Sequence, residues 1–351
     1  MVNLESTKIS PMKTFNITLL AIVISAIAYS QDFTTSISSS ALYEINSYEK
    51  YTEEGVITSD GKLIHAKDNV EVLDLNTGKI VKTFNFEGGY GKTWLDPNGR
   101  YAGNYSQNSK QIDNRWRDGV HVLDLKTNQV YTKYLEKGYW EKGTFHPNKS
   151  QMLINEYKTG EGSRVILYDF VNQKEVKTYF SSTKFSVVLM DMVFSADGSK
   201  IYAAIAPNGF TTYMNIYDTE TGDVLKKVNF KYSVDKVYVV GDYVYTAGYD
   251  GNSGAPFTSK INAKTYEVEA TWDHFHMNNV YPTGDMCLAI EYGTNTLSRY
   301  DLSNGEKVDL FDVSKIGTFD FAYASAFSED GKYFFVNKSR KMMLQILQKV
   351  W

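Results

Sequence analysis

Val70–Phe84, VEVLDLNTGKIVKTF, decides the fold, because its pattern of apolar strand, polar turn and second strand returns along the chain. Worn copies begin at Val120 (VHVLDLKTNQVYTKY), Val165 (VILYDFVNQKEVKTY), Met214 (MNIYDTETGDVLKKV), Thr258 (TSKINAKTYEVEATW) and Thr296 (TLSRYDLSNGEKVDL). An acidic or amide residue recurs just before each turn: Asp74, Asp124, Asp169, Asp218, Asn262 and Asp301, roughly 40 to 50 residues apart. Such side chains accept backbone N–H groups and fix a hairpin, so their recurrence reads as framework and not as catalysis.

A second, tighter hairpin alternates with the first: TSDGKL at Thr58, LDPNGRY at Leu95, FHPNKS at Phe145, FSADGSK at Phe194, VGDYVY at Val240, PTGDMC at Pro282 and FSEDGKY at Phe327. Gly and Asn tolerate positive φ at these corners, and Pro pre-sets the first of them. Two hairpins per period make four strands, and that period with four strands signals a β-propeller. The expected fold is all-β, a seven-bladed β-propeller of four-stranded antiparallel blades occupying residues 41–351. The unit that begins at Phe327 ends one strand short, and the spare strand at Ala41–Tyr48 is expected to complete it from the other end of the chain, covering an edge that would otherwise invite aggregation. The 27 Tyr and 19 Phe against six Pro fit such a sheet-rich chain.

These repeats resemble those of the broad group of bacterial YVTN and WD-repeat-like propellers, and the copies reading LDLNTGK are similar to the repeats of pyrroloquinoline quinone enzymes. The resemblance covers most of the mature chain and implies fold alone. The Gly-His and Trp-Asp pairs of the WD repeat are missing, and Lys82 stands where the quinoprotein repeat places a Trp. That departure speaks against quinone-dependent dehydrogenase activity, and no cofactor is expected.

Outside the repeats, Lys13, the apolar run Phe15–Ile27 and Ala28-Tyr29-Ser30 have the grammar of a secretory signal over residues 1–30, with translation starting at Met12 as an alternative. Residues 31–40 then form a Ser/Thr-rich linker, and an exported protein (periplasmic, cell-surface or extracellular) that does not span the membrane is expected. The single Cys287 cannot form an intramolecular disulfide and lies in an apolar strand, which makes it an inert core thiol. A net charge of −4 without long single-sign runs gives no field for nucleic acid. No nucleophile elbow, zincin, Walker or dinucleotide motif is present.

Function is therefore sought where blades depart from the repeat. First-to-second and third-to-fourth strand turns share one face of a propeller, and here they are tight. The long segments from Asn104, Ala206, Gly248 and Trp272 belong to the opposite face, where binding residues are expected. Aligning the tight turns places Trp94 in a column with Thr144, Val193 and Ala326, Lys92 with Lys142 and Asp191, and Tyr90 with Trp140. Tyr90, Lys92, Trp94, Tyr139, Trp140 and Lys142 thus make a candidate cleft of rings and ammoniums at the channel mouth, with inter-blade packing as the competing reading. Arg115, Trp116 and Arg117 are residue types of interface hot spots on a loop that has little need of a Trp. Trp272, His274 and His276 complete the candidates; the histidines project to one side if the segment is extended, and a metal there would need a third ligand from Asp273, Asp250 or Glu291. No metal centre or catalytic residue is assigned. The function expected is a binding scaffold presenting its long-loop face to a protein, peptide or surface glycan. A lyase or hydrolase acting on a carbohydrate or lactone, and a structural subunit of a cell-envelope assembly, are the alternatives.

Overall fold

The computed structural model describes residues 43–45, 54–66, 69–75, 77, 79–85, 93–135, 139–158, 162–183, 188–207, 212–290, 296–312, 322–327, 333–338 and 341–346. Residues 1–40 and most of Ala41–Tyr48 lie outside them. Every strand pair is antiparallel, and the first four-stranded blade is β2–β5 (Glu54–Ile57, Lys62–Ala66, Asn69–Asp74, Lys79–Asn85). The second is β6–β9 (Thr93–Leu95, Tyr101–Ile112, Arg115–Asp124, Val130–Leu135) and the third β10–β13 (Tyr139–Phe145, Gln151–Lys158, Gly162–Asp169, Lys174–Ser182). The fourth is β14–β17 (Val188–Phe194, Lys200–Ala206, Tyr213–Asp218, Val224–Asn229) and the fifth β18–β21 (Ser233–Val240, Tyr243–Tyr249, Pro256–Asn262, Val268–Trp272). The sixth is β22–β25 (Met277–Val280, Met286–Ile290, Thr296–Asp301, Lys307–Asp312).

The expectation of a seven-bladed propeller is corrected here: six blades are laid down, each by four consecutive strands. The remaining sheet is a composite of both chain ends, in the order β1 (Tyr43–Ile45), β28 (Lys341–Ile346), β27 (Tyr333–Lys338), β26 (Ala322–Phe327), and it is described by its backbone alone. The described part of its closing strand, Tyr43–Ile45, pairs Tyr43 with Leu344 and Ile45 with Met342. The innermost strands β2, β6, β10, β14, β18 and β22 neighbour one another in turn, and β26 lies between β22 and β2.

Alternation along each strand explains why successive blades stick together. In β15, Ile201, Ala203 and Ile205 face the third blade, while Tyr202 and Ala204 face the fifth. Opposite faces of one sheet thus feed two different cores, and the cores lie between blades. The hairpin acceptors behave as their periodicity implies: Asp74 receives the Thr77 N–H at 2.8 Å, Asp218 the Thr221 N–H at 2.7 Å and Asp301 the Ser303 N–H at 2.7 Å. Polar ties follow the repeat length as well. Asn98 donates to the Pro147 carbonyl at 3.0 Å, and Asn148, 50 residues later in sequence, donates to the Asp197 carbonyl at 3.2 Å. No helix among the described residues is long and apolar enough to cross a membrane.

Candidate functional site

The segment from Asn104, expected to be a loop, is instead a β-ribbon. β7 has 12 residues and β8 has 10, whereas the corresponding middle strands of the other blades have eight or fewer. Asp113 (φ 51°) and Asn114 (φ 60°) supply the two consecutive positive-φ corners of a type I′ turn, whose twist matches that of the flanking strands. Beyond a register shift between Ser106 and Lys110, the pairs are Lys110 with Arg117, Gln111 with Trp116 and Ile112 with Arg115. Directly opposed residues share a face, so Lys110, Ile112, Arg115 and Arg117 lie on one side of the ribbon and Gln111 and Trp116 on the other. At the ribbon's base the Tyr105 hydroxyl donates to Asp118 at 2.6 Å, and the Lys110 ammonium sits 5.3 Å from the Tyr134 ring centre. Trp116 is 62% exposed, the largest exposure of any large hydrophobic residue among those described.

The channel-mouth cluster has a different character. Trp94 is only 3% exposed and lies flat against two glycines. A Cβ on Gly103 of its own blade would meet the indole at 2.9 Å, and one on Gly143 of the next blade would meet it at 3.0 Å. The large ring in a column of small residues is thus accommodated by missing side chains opposite it. Half-buried Lys142 forms an ion pair with buried Asp191, which also accepts the Met192 N–H and the Val237 N–H, each at 2.8 Å. One carboxylate therefore joins the innermost strands of the third, fourth and fifth blades. β10 carries a bulge between Trp140 and Lys142, β14 between Leu189 and Asp191, and β18 between Val234 and Lys236, which re-aims the residues next to the channel. Tyr90 and Lys92 lie outside the described residues. Tyr139 and Trp140 start β10, but their side chains lie outside the description.

His274 and His276 would project to one side only in an extended segment, and Asp273–His274 is a bend. His274 is exposed and its Nε2 lies 2.9 Å from the Gly305 carbonyl oxygen. His276 is 5% exposed, lies 2.8 Å through Nε2 from Asp235 and stacks on Tyr249 with centroids 4.6 Å apart. Between them Phe275 stacks on Tyr300 at 4.1 Å, and Trp272, 9% exposed, packs on Gly305. Gly305 has φ +77°, and a Cβ there would meet the indole at 2.0 Å, so both backbone and neighbour demand glycine. Among the described residues no three His, Cys, Asp or Glu side chains gather to hold a metal. Cys287 is fully buried, and burial pushes its thiol well above the ordinary range, away from the thiolate a nucleophile needs.

The structure thus brings Arg115, Trp116 and Arg117 together on one exposed ribbon and distributes Trp94, Lys142, Trp272 and His276 among inter-blade contacts. Sequence reasoning missed Lys110, which joins the arginines only through cross-strand register. The Asp-Asn corner between QNSKQI and RWRDG is the signal that could have found it.

No protein-family model matches the chain, and no curated protein matches it. Solved structures do. A chain in the crystal structure of the mitotic checkpoint complex is similar with a TM-score of 0.65 and 14% identity, over 86% of this chain and 90% of that one. The β-propeller domain of Myceliophteria thermophila Cps50 (Swd1) gives 0.62 and 14%, over 86% and 98%. A chain of Kuenenia stuttgartiensis hydrazine synthase gives 0.64 and 12%, over 86% and 98%. At such identities the likeness concerns architecture, and with the topology above it establishes a WD40-like β-propeller fold.

Proposed function

We propose that this protein is an exported binding scaffold that grips a protein partner with the β7–β8 ribbon on its long-loop face. The observation that carries the reading is Trp116, held 62% exposed at the end of a ribbon longer than the middle strands of any other blade among the described residues. An indole left in water gains nothing for the fold, whereas Trp and Arg are the residue types that dominate binding energy at interfaces. The rigid blade below supplies preorganisation, which lowers the entropy lost on binding. Two of the similar folds come from proteins whose structures are described as a checkpoint complex and a Swd1 propeller domain, and a propeller suits assembly with other proteins. Export is supported by Lys13 and the apolar run Phe15–Ile27. The paired-histidine route to a lyase or hydrolase has no geometric support, since His274 and His276 point into different neighbours.

Capture from a native extract on immobilised protein, comparing wild type with Trp116→Ala and with Val224→Ala as an exposed aliphatic control, tests this reading. A protein retained by wild type and the control but lost with Trp116→Ala supports it. Identical retention by all three, or loss of a captured glycan rather than a protein, overturns it.

A further inference from the structure

We propose that His146 is an acid-sensitive latch on the tight-turn face, which holds the first hairpin of the third blade closed and tied to the fourth blade while its ring is neutral. The latch lies on the face opposite the ribbon and does not depend on it. The residue directly after the innermost strand is Thr58 in the first blade, Asp96 in the second, His146 in the third and Ser195 in the fourth. In each of these blades that side chain accepts a backbone N–H of its own turn. The Thr58 hydroxyl takes the Lys62 N–H at 3.2 Å, the Asp96 carboxylate those of Asn98 at 3.2 Å and Arg100 at 3.1 Å, and the Ser195 hydroxyl that of Lys200 at 2.9 Å. His146 takes the Asn148 N–H on Nδ1 at 3.0 Å. Of the four acceptors, the imidazole nitrogen is the one whose ordinary titration, between about pH 5 and 8, removes it.

The neutral ring is fitted to its place. His146 is 3% exposed, its ring centre lies 4.8 Å from that of Phe194, and a Cβ on Gly198 would meet its Cε1 at 2.3 Å. Gly198 stands at φ +74°, so the turn of the fourth blade needs glycine for its own backbone and leaves with it the space that the imidazole fills. The charged groups that face the ring are Lys149 on its own turn and Asp197 on the turn of the fourth blade, while β14 contributes the uncharged Phe194. Burial first, and then the Lys149 ammonium, disfavour the imidazolium against the opposing pull of Asp197 and of a backbone hydrogen bond with Gly198.

A proton on Nδ1 turns the acceptor into a donor aimed at the Asn148 N–H, and two buried donors facing each other leave both unsatisfied. The ring then leaves for water, and two ties hang on the segment it anchors. Asn148 donates to the Asp197 carbonyl at 3.2 Å, joining the turns of the third and fourth blades, and Asn98 donates to the Pro147 carbonyl at 3.0 Å, joining those of the second and third. Acid thus loosens the seam between three consecutive blades at one face while the inter-blade cores keep their packing. Because the folded value lies below the unfolded 6.5, the neutral ring's stabilisation is fully present above pH 6.5 and is lost as pH falls through the lowered value.

Hydrogen exchange of the full chain, read by mass spectrometry at about pH 7 and about pH 5 and corrected for intrinsic rates, tests the latch. In wild type the segment 145–151 should lose protection about tenfold or more on acidification, while the strands of the fifth blade keep theirs. His146→Asn retains an acceptor near the place of Nδ1 that does not titrate in this range, and should abolish that loss. Its urea midpoint should also fall less between the two pH values than that of wild type. His276→Asn, at a second buried imidazole, should leave the loss at 145–151 as in wild type. Should His146→Asn fail to fold, the wild-type profile decides alone. Protection at 145–151 that does not change with pH, an equal loss in every segment, which is global acid unfolding, or the same local loss in His146→Asn would overturn the latch.

Discussion

Trp116 and Trp272 are the same residue type, Trp116 outside the repeat and Trp272 at the end of the copy that begins at Thr258, and the structure uses them in opposite ways. Trp116 tops a ribbon 62% in water, whereas Trp272 is 9% exposed, sealed between the fifth and sixth blades by Phe275, Tyr300 and Gly305. The difference lies in what surrounds each one. Around Trp272 the neighbouring blade gives way: a glycine at positive φ leaves the space that an indole fills. Around Trp116 nothing has been removed, and a tight turn with an extended ladder carries it outward. A large ring is thus a packing solution where a neighbouring residue leaves it room, and a candidate for function where none does.

The largest effect should come from emptying the buried side of this comparison. Trp272→Ala removes a ring from a filled inter-blade core and is expected to cost about 3–5 kcal/mol. Guanidinium denaturation followed by far-ultraviolet circular dichroism should show a lower midpoint at unchanged slope. A loss below about 1 kcal/mol would mean that the ring is not sealed as described and would erase the contrast with Trp116.

Next comes Asp191, which ties three blades through a side chain that is almost wholly buried. Asp191→Ala leaves two backbone N–H groups without their acceptor and Lys142 without its counter-charge, a cost of about 2–4 kcal/mol. Lys142→Ala alone should also destabilise, since it strands a buried carboxylate. If both single variants melt like wild type, the lysine is free for a ligand after all, and the channel-mouth cleft regains its case.

At the exposed end, Trp116→Ala should change stability by no more than about 0.5 kcal/mol, because surface residues without packing partners contribute little. Its effect should instead appear in partner capture. A destabilisation approaching that of Trp272→Ala would show that the indole folds against the blade and would end the distinction between the two tryptophans.

Much of this architecture was legible in the sequence, and for a physical reason. Hairpin corners are local: the Asp74 series and the Asp-Gly, Pro-Asn and Asn-Gly turns carry their conformations in neighbouring residues. Strand continuity was harder to read. QNSKQIDNRWRDG lacks the β-branched alternation of a strand, so it read as a loop, although its cross-strand pairs make it a ribbon. Inter-blade facts were the least visible. That Trp94 would rest on Gly103 and Gly143, or that His276 would find Asp235 rather than His274, depends on residues roughly 10 to 50 positions away, brought together by tertiary packing that propensity does not encode. The count came out at seven because the unit that begins at Phe327 was reckoned with the rest, although only six blades are laid down by four consecutive strands.

The smallest expected effects belong to carboxylates on the tight-turn face, where framework should behave as framework. The Ser195 hydroxyl, followed by the N–H and hydroxyl of Ser199, holds Asp197 down to about 2 from the ordinary 3.8. A folded value below the unfolded one means stabilisation that is present above pH 3.8 and lost as pH falls towards 2. Asp96 goes the other way, because burial raises it against the N–H bonds of Asn98 and Arg100. Its folded form holds the proton more firmly, so its contribution is greatest below pH 3.8 and declines as pH rises through the raised value. Asp197→Asn should therefore flatten the acid limb of the stability profile by about 1 kcal/mol or less, since solvent screens this largely exposed group. Asp96→Asn should gain stability relative to wild type as pH rises from 3 to about 6. Urea midpoints measured across that range read both slopes, and neither variant should alter what the ribbon captures. A pH-dependent change in capture by either one would couple the two faces of the disc, and the division between a structural face and a binding face would have to be redrawn.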